Sequence, residues 1–241
     1  MTAHTIIFSP IEQSTRSEQV VERLENAIIS GLLKHNEQLP NETDLARLMG
    51  VSPITVRDAL NTLRGKGLID TRRGRNGGSF VCELSIERIF KQHPLHQASH
   101  EYLADLGEFH CAILGHSAVL AVQRATEQDW MKLNDLIGLF TQADTAELRV
   151  QMDMRCLLSL CSLSQSARLA NQELAIQAEW APLISRLYQD SLFHINIVEQ
   201  YHILIDILKH RDIIRSEQQM KHLISIGIDQ MLRYKLSMED E

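Results

Sequence analysis

The sequence predicts a mainly α-helical protein in two parts, an N-terminal domain that ends in a small β-hairpin and an all-α bundle behind it. Two short helical segments lie between residues 41 and 65, separated by a glycine. A basic, glycine-rich stretch with short apolar flanks follows them, and helical periodicity dominates from Leu84 onward. The 241 residues suffice for one or two domains with a substantial core.

The first short helix is predicted to begin after Asn41, whose side chain can cap free backbone N–H groups. Glu42 and Asp44 place negative charge in its first turn, where the helix dipole favours it. Gly50 is expected to end the helix, because a residue without Cβ readily adopts the left-handed conformation of a helix exit.

The second helix is predicted to start at Pro53, with Ser52 as its cap. Proline is well suited to the first helical position, where its missing N–H costs nothing. Its apolar stripe consists of Val56, Ala59, Leu60 and Leu63, and its polar stripe of Thr55, Arg57, Asn61 and Arg64. Two helices joined by so short a turn, with short polar and guanidinium groups on the second, suit insertion into a DNA major groove.

A hairpin is predicted to follow, because Leu68 and Ile69 open one short strand and residues 79–81 form another. The polar segment between them carries Arg72, Arg73 and Arg75, which can contact phosphates, and Gly74, Gly77 and Gly78, which allow close approach of the backbone. Two helices followed by a basic hairpin describe a winged helix-turn-helix.

Residues 17–81 resemble the DNA-binding domain of GntR-type bacterial transcription regulators, with AIISGLL at the end of a leading helix and then LPNETDLARLMGVSPITVRDALNTLRGKGLI. The resemblance implies DNA contact by Ser52, Thr55, Arg57 and the wing around Arg75, Asn76 and Gly77. The chain departs from the family at His35 and Asn36, where Pro-Gly is usual. It also has Pro53 where relatives commonly place a base-reading arginine, so its operator should differ from theirs.

Charge is divided unevenly along the chain, whose net charge is −7. Residues 1–82 carry +1 and the remainder −8, while the segment 57–75 holds six basic and two acidic residues. Such a local basic footprint is expected where one helix and one wing bind DNA. No apolar run reaches the ~20 residues of a membrane span, and the N-terminus lacks the pattern of a secretion signal, so a cytoplasmic protein is expected.

The second part is predicted to be a bundle of antiparallel helices joined by short connections. The predicted helices cover residues 85–93, 99–124, 126–140, 147–162, 166–190, 192–209 and 212–236. The expected domains are a DNA-binding domain at 1–82, a linker helix within 83–98, and an effector-binding and dimerisation domain at 99–241.

This helical part resembles the FCD effector domain of the FadR subfamily. In relatives that bind small carboxylates, an arginine, an Asp-x3-His pair and two later histidines surround a metal ion. By this resemblance Asp153 matches the aspartate, but Leu157 stands in place of its histidine and His110 in place of the arginine. His222 and His202 are the candidates for the two later histidines. His110, Asp153, His202 and His222 could thus bind an effector or a divalent metal, or the histidines could be ordinary core and surface groups.

The function predicted is a transcription regulator, a repressor that binds a palindromic operator as a homodimer and responds to a small organic acid. The alternative is a DNA-binding dimer whose helical domain serves only dimerisation or partner binding, its effector and metal site having decayed. An enzyme is not expected, because HExxH, GxSxG and GxxxxGK[ST] motifs are all missing from the sequence.

Overall fold

The computed structural model describes residues 16–74, 77–83, 95 and 98–239. The N-terminal part begins with helix α1 (Arg16–Ile29), followed by α2 (Glu42–Met49) and α3 (Pro53–Gly65). Asn41 caps α2 by accepting from the amide of Asp44 at 2.9 Å, and Ser52 caps α3 by accepting from that of Thr55 at 3.1 Å. Gly50 ends α2 with φ of 66°, so the predicted helix signals are confirmed.

The wing is an antiparallel hairpin of strands β1 (Ile69–Arg72) and β2 (Gly78–Val81), in which Ile69 pairs with Val81. The segment that precedes α2 also pairs with β2, through an isolated bridge between Gln38 and Phe80. This additional pairing was not predicted, because the segment is too short and polar to show a strand pattern.

The helical part comprises α4 (His100–Arg124), α5 (Glu127–Thr141), α6 (Ala146–Leu163), α7 (Ala167–Ile184), α8 (Ser191–Lys209) and α9 (Ile213–Glu239). A hydroxyl or carboxylate caps each of these six helices, at Ser99, Thr126, Thr145, Ser166, Asp190 and Asp212. The most extensive helix pair is α4 with α9, and α6 lies between α4, α5 and α7. The mainly α fold class with a small hairpin is thus confirmed.

One predicted helix was too long. The expected helix over 166–190 ends at Ile184, and a short 3-10 turn follows at Leu187–Gln189. Pro182 lies inside the last turn of α7 and cannot donate to the carbonyl one turn before it, but helical hydrogen bonding continues past it, because the Ser185 amide donates to the Ala181 carbonyl at 3.1 Å. The predicted linker helix over 85–93 lies outside the described residues.

The two parts of the chain pack directly on each other, because α1 of the N-terminal part lies against α7 of the bundle. On α6, the Gln151 amide donates to the Gly31 carbonyl at 2.5 Å, and the Arg155 guanidinium donates to the Leu32 carbonyl at 3.3 Å. The loop that follows α1 is therefore held by the bundle. None of the helices within the described ranges is both long and apolar enough to cross a membrane.

Candidate nucleic-acid interface and the buried polar cluster

Helix α3 presents one solvent-facing side that is free of the core. Its apolar stripe of Val56, Ala59, Leu60 and Leu63 is buried, as predicted. On the opposite side Arg57 is exposed, while Thr55 is half-buried. The Oγ atoms of Ser52 and Thr55 are 2.8 Å apart, so the cap and the first turn form one polar unit. This face has the length and chemistry to enter a major groove.

Arg57 is tied to the preceding helix. Its Nε and Nη2 both donate to one carboxylate oxygen of Glu42, at 3.0 and 2.8 Å. The side chain of Arg57 nevertheless remains 62% exposed. The Nε–Nη2 edge of the guanidinium is therefore occupied, while Nη1 and the second hydrogen of Nη2 point away from Glu42 and can donate to DNA.

Ile54 is a candidate contact that the sequence reasoning missed. It follows Pro53 in the first turn of α3 and is 69% exposed, beside the polar unit of Ser52 and Thr55. An apolar side chain at this end of a recognition helix can contact a thymine methyl group. The signal in the sequence was its position opposite the apolar stripe, which the helical period places in solvent.

The wing is anchored to the domain before it reaches outward. Arg72 donates to the Asn36 side chain at 2.5 Å, and its guanidinium lies 4.3 Å from the centre of the Phe80 ring. Arg73 is exposed. A Cβ on Gly77 would approach the Arg72 carbonyl to 2.5 Å, so the turn needs a glycine there. Arg75 and Asn76, which were predicted to contact DNA, lie outside the described residues.

The family departure at His35 and Asn36 has a structural counterpart. Asn36 has φ of 66°, a conformation that asparagine tolerates better than most residues. Asparagine therefore occupies the left-handed position where the family usually has glycine. Its side chain also gains the hydrogen bond from Arg72, so this substitution links the turn to the wing.

A second set of polar residues is buried in the helical bundle, and we term it the buried polar cluster: His110, Asp153, Glu173, Gln177 and Tyr201. His110 Nε2 lies 3.2 Å from one carboxylate oxygen of Glu173 and 3.1 Å from the other, and both side chains are 0% exposed. Gln177 donates to Glu173 at 2.8 Å. The edge of the His110 ring also packs on Trp180, with ring centres 4.7 Å apart.

Asp153 is bound within the same cluster. The Tyr201 hydroxyl donates to its Oδ1 at 2.6 Å, and Asp153 is only 2% exposed. Burial raises the pKa of Asp153 to about 6, although the hydrogen bond from Tyr201 acts in the opposite direction. Burial likewise raises the pKa of Tyr201 well above its ordinary range.

The structure brings together two of the four predicted effector residues. His110 and Asp153 belong to the buried polar cluster, whereas His202 on α8 and His222 on α9 are solvent-exposed. Leu157, one turn after Asp153, is fully buried among apolar side chains. In the described ranges no three His, Cys, Asp or Glu side chains are grouped so as to hold a metal ion.

The residues present therefore do not fit the metal that the FCD resemblance implies. Glu173 contacts Nε2 of His110 while Nδ1 of that ring is buried without a hydrogen-bond partner among the described residues, and Tyr201 donates to Oδ1 of Asp153. The remaining two candidates lie on the outside of the bundle. A divalent ion needs several such ligands directed at one point.

Comparison with known proteins identifies both parts of the chain. Residues 16–81 match the family model described as bacterial regulatory proteins of the gntR family. Residues 105–225, half of the chain, match the FCD domain.

Among similar proteins is RmpR of Mycobacterium gastri, by name an HTH-type transcriptional regulator, which is 37% identical over 182 residues. The match covers 73% of this chain and 66% of that protein. The Glc operon transcriptional activator of Escherichia coli K12 is also 37% identical, over 47% of this chain and 44% of its own length. The chain thus aligns with between about half and two thirds of the length of these relatives.

Solved structures show the same fold. Escherichia coli McbR/YncC superposes with a TM-score of 0.54 at 19% identity, covering 94% of this chain and 100% of that one. A GntR transcriptional regulator from Rhodococcus sp. RHA1 gives a TM-score of 0.53 at 19% identity, with 91% and 98% covered. Together with the helix-turn-helix, wing and bundle described above, these matches show that the chain belongs to the GntR family of bacterial transcription regulators and carries an FCD domain.

Proposed function

We propose that the protein binds a specific DNA operator through α3 and the wing. The observation that carries this proposal is the outer face of α3, where Ile54 and Arg57 are exposed and Thr55 is half-buried, beside an anchored basic hairpin. Membership of a regulator family supports the same function. The DNA-binding unit would correspond to residues 1–82 and the effector unit to 99–241, joined by 83–98, and the protein would act in the cytoplasm.

The side chains divide into two roles on this proposal. Ser52, Ile54 and Thr55 are at the end of α3 that would enter the groove, so we assign them to base edges. Arg57 has two donors occupied by Glu42, so we assign it to a phosphate, with Arg72, Arg73 and Arg75 of the wing. Asn76 and Gly77 at the tip would follow the groove closely. The preference for a particular operator sequence would then come from these base contacts and not from an arginine at position 53.

We further propose that the protein acts as a homodimer on a palindromic site. Two-fold symmetry would place two copies of α3 about one DNA turn apart. Large apolar side chains are exposed on the neighbouring helices α5 and α8, at Met131, Leu139, Leu192, Ile195 and Ile203. Exposed apolar side chains on adjacent helices favour association with another surface. Light scattering should give twice the chain mass of 27.5 kDa.

The DNA-binding proposal is tested by selecting duplexes from a random library with the purified protein and measuring gel shifts. The selected sequence should be an inverted repeat, and it should bind at least 100-fold more tightly than its scrambled counterpart. Equal binding of the selected and scrambled duplexes would contradict sequence-specific recognition. Repression is checked separately by in vitro transcription from a promoter that contains the selected site, where increased transcription would contradict it.

Two forms of control by the helical domain remain in competition. A small organic acid bound near His110, Asp153, His202 and His222 is the form that the FCD resemblance suggests. The alternative is a helical domain that serves dimerisation or partner binding without that effector. The contact of His110 Nε2 with Glu173 favours the alternative, because an internal carboxylate already takes one of the two ring nitrogens that could meet an acid. A thermal-shift screen of small carboxylates separates them, since a ligand of the native state must raise Tm.

A further inference from the structure

A cavity of about 540 Å³ lies between the DNA-binding domain and the helical bundle. Its walls come from the end of α1 and the loop after it, the end of β2, the first turns of α6 and the last turn of α7. Ligand pockets of proteins typically measure roughly 300–1,000 Å³ and occur preferentially between domains. This cavity has the size and position of a small-molecule site, and it is distinct from the buried polar cluster.

The lining of the cavity is mainly apolar. The apolar side chains that face it include Ile28, Leu33, Val81, Val150, Ala181 and Pro182. Charged side chains of both signs are present, since Lys34 lines one side and Glu147 another. Neither side chain forms an ion pair with another group in the part of the chain that is described. Opposite charges on one lining favour neither a free anion nor a free cation.

The same cavity adjoins the points where the bundle holds the DNA-binding domain. Gln151 lines the cavity and also donates to the Gly31 carbonyl, and Gly31 is itself part of the lining. Arg155, one turn further along α6, donates to the neighbouring Leu32 carbonyl. A molecule in the cavity would therefore contact both domains. The bound molecule would favour the relative orientation of the two domains in which it makes the better contacts, because a ligand shifts an equilibrium towards the state that it binds more tightly.

We propose that this interdomain cavity binds an uncharged, mainly apolar small molecule with one hydrogen-bonding end, and that the bound molecule sets the orientation of the DNA-binding domain. The apolar walls supply the affinity, and the Gln151 amide and the loop carbonyls receive the polar end. This inference has a binding half, that the cavity takes up the small molecule, and a regulatory half, that the bound molecule sets the orientation of the DNA-binding domain. The regulatory half rests on the proposed DNA-binding function, whereas the binding half does not depend on DNA.

The binding half is tested by isothermal titration of the full chain with 1-octanol, and with octanoate as the charged counterpart of the same length. The variant Val150→Trp fills the cavity with a large side chain, whereas Ile214→Trp places the same side chain on the surface of α9, where Ile214 is 68% exposed. We expect octanol binding to weaken at least tenfold in Val150→Trp and to remain unchanged in Ile214→Trp. Ala146→Phe is a second filling variant if Val150→Trp does not fold.

Three results would overturn the binding half. The first is that the wild type does not bind octanol. The second is that octanol binding persists in both filling variants. The third is that octanoate binds more tightly than octanol. The third result would replace an uncharged ligand by an acid.

The regulatory half is tested by gel shifts of the selected duplex with and without octanol. We expect octanol to change the DNA affinity of the wild type at least threefold, and to leave that of Val150→Trp unaltered. Octanol binding without any effect on DNA affinity overturns the regulatory half alone. If the wild type does not prefer the selected duplex, the proposed function is overturned. The titration still decides whether the cavity binds octanol, because it contains no DNA.

Discussion

The guanidinium of Arg57 donates through both Nε and Nη2 to a single carboxylate oxygen of Glu42, at 3.0 and 2.8 Å. This ion pair joins the first turn of α2 to the face of α3 that is proposed to meet DNA. Both side chains are substantially exposed, so the pair contributes little to stability. Its main effect is to set the direction in which Arg57 can offer its remaining donors.

We expect Arg57→Ala to weaken operator binding about 5- to 50-fold, through loss of a phosphate contact. Since one phosphate contact is lost, the slope of log affinity against log salt should also become shallower by about one. Gel shifts at several salt concentrations measure both quantities. Arg168→Ala removes the same charge from an exposed position on α7 and should change neither. Unchanged affinity of Arg57→Ala would remove it from the interface.

Ile54→Ala tests the apolar contact at the start of α3. We expect binding to weaken about 5-fold or more at a site with thymine opposite this residue, because a methyl contact is lost. Tm should stay within about 1 °C of the wild type, because the side chain is 69% exposed. The matched control is Ile214→Ala on α9, where the isoleucine is 68% exposed. An equal effect of both variants on DNA binding would argue against a specific role of Ile54.

Gly107→Ala tests the close packing of α4 on α9. A Cβ at this position would lie 2.6 Å from Cγ1 of Ile228, so the two helices must separate or Ile228 must move. We expect a loss of about 1–3 kcal/mol in the free energy of unfolding. Gly138→Ala on α5 is the control, because nothing lies within 4 Å of its added Cβ. That variant should be neutral or more stable, since alanine favours helix. Urea unfolding compares the two.

Asp153→Asn tests the pH dependence that arises from burial. The pKa of Asp153 rises from the ordinary 3.8 to about 6 in the folded state. Between these values the folded protein holds more protons than the unfolded chain, so this carboxyl lowers stability as the pH rises from about 4 to about 6. Its contribution is roughly 3 kcal/mol at most over this window.

The variant should therefore gain stability relative to the wild type as the pH is raised through this window. Asparagine retains an oxygen that can accept from Tyr201. Thermal unfolding at pH 4.5 and pH 7 provides the measurement. A stability difference between the two proteins that is constant with pH would show that Asp153 does not titrate there.

The pair of His110 and Glu173 is open to a double-variant test. Glu173→Leu alone leaves His110 and Gln177 buried without their shared partner, and we expect it to cost about 3–5 kcal/mol. Combining it with His110→Leu should recover part of that loss, because both polar groups are then replaced by apolar ones. Chemical denaturation of the two single variants and the double variant gives the coupling energy. Strictly additive losses would mean that the two residues do not interact.

The helix-turn-helix was predictable because its signals are local. Asn41, Gly50 and Ser52 act within four residues of their own position, and the apolar period of α3 requires only its own helix. The length of α7 was less predictable, since the apolar periodicity continues past Ile184 into the 3-10 turn at Leu187–Gln189. The pairing of Gln38 with Phe80 was missed because it joins residues that are far apart in sequence.

The predicted effector residues show the limit of a family pattern. His110 and Asp153 were named from their positions in that pattern, and both are buried in the bundle, where His110 contacts Glu173 and Asp153 contacts Tyr201. Glu173, Gln177 and Tyr201 were not named, because they come from two separate helices, α7 and α8, and belong to no motif of the family pattern. Their hydrogen bonds to His110, Asp153 and each other decide what the cluster can bind.

The sequence by itself determined where most helices begin and end and which face of each is apolar, because capping and periodicity depend on residues within one or two turns. It also determined that α3 lacks an arginine at position 53. Only the tertiary structure decided that Glu42 restrains Arg57, that Glu173 meets His110, and that a cavity lies between the domains. Those features arise where distant segments pack together, and their distances and burial depend on every helix that forms the contact.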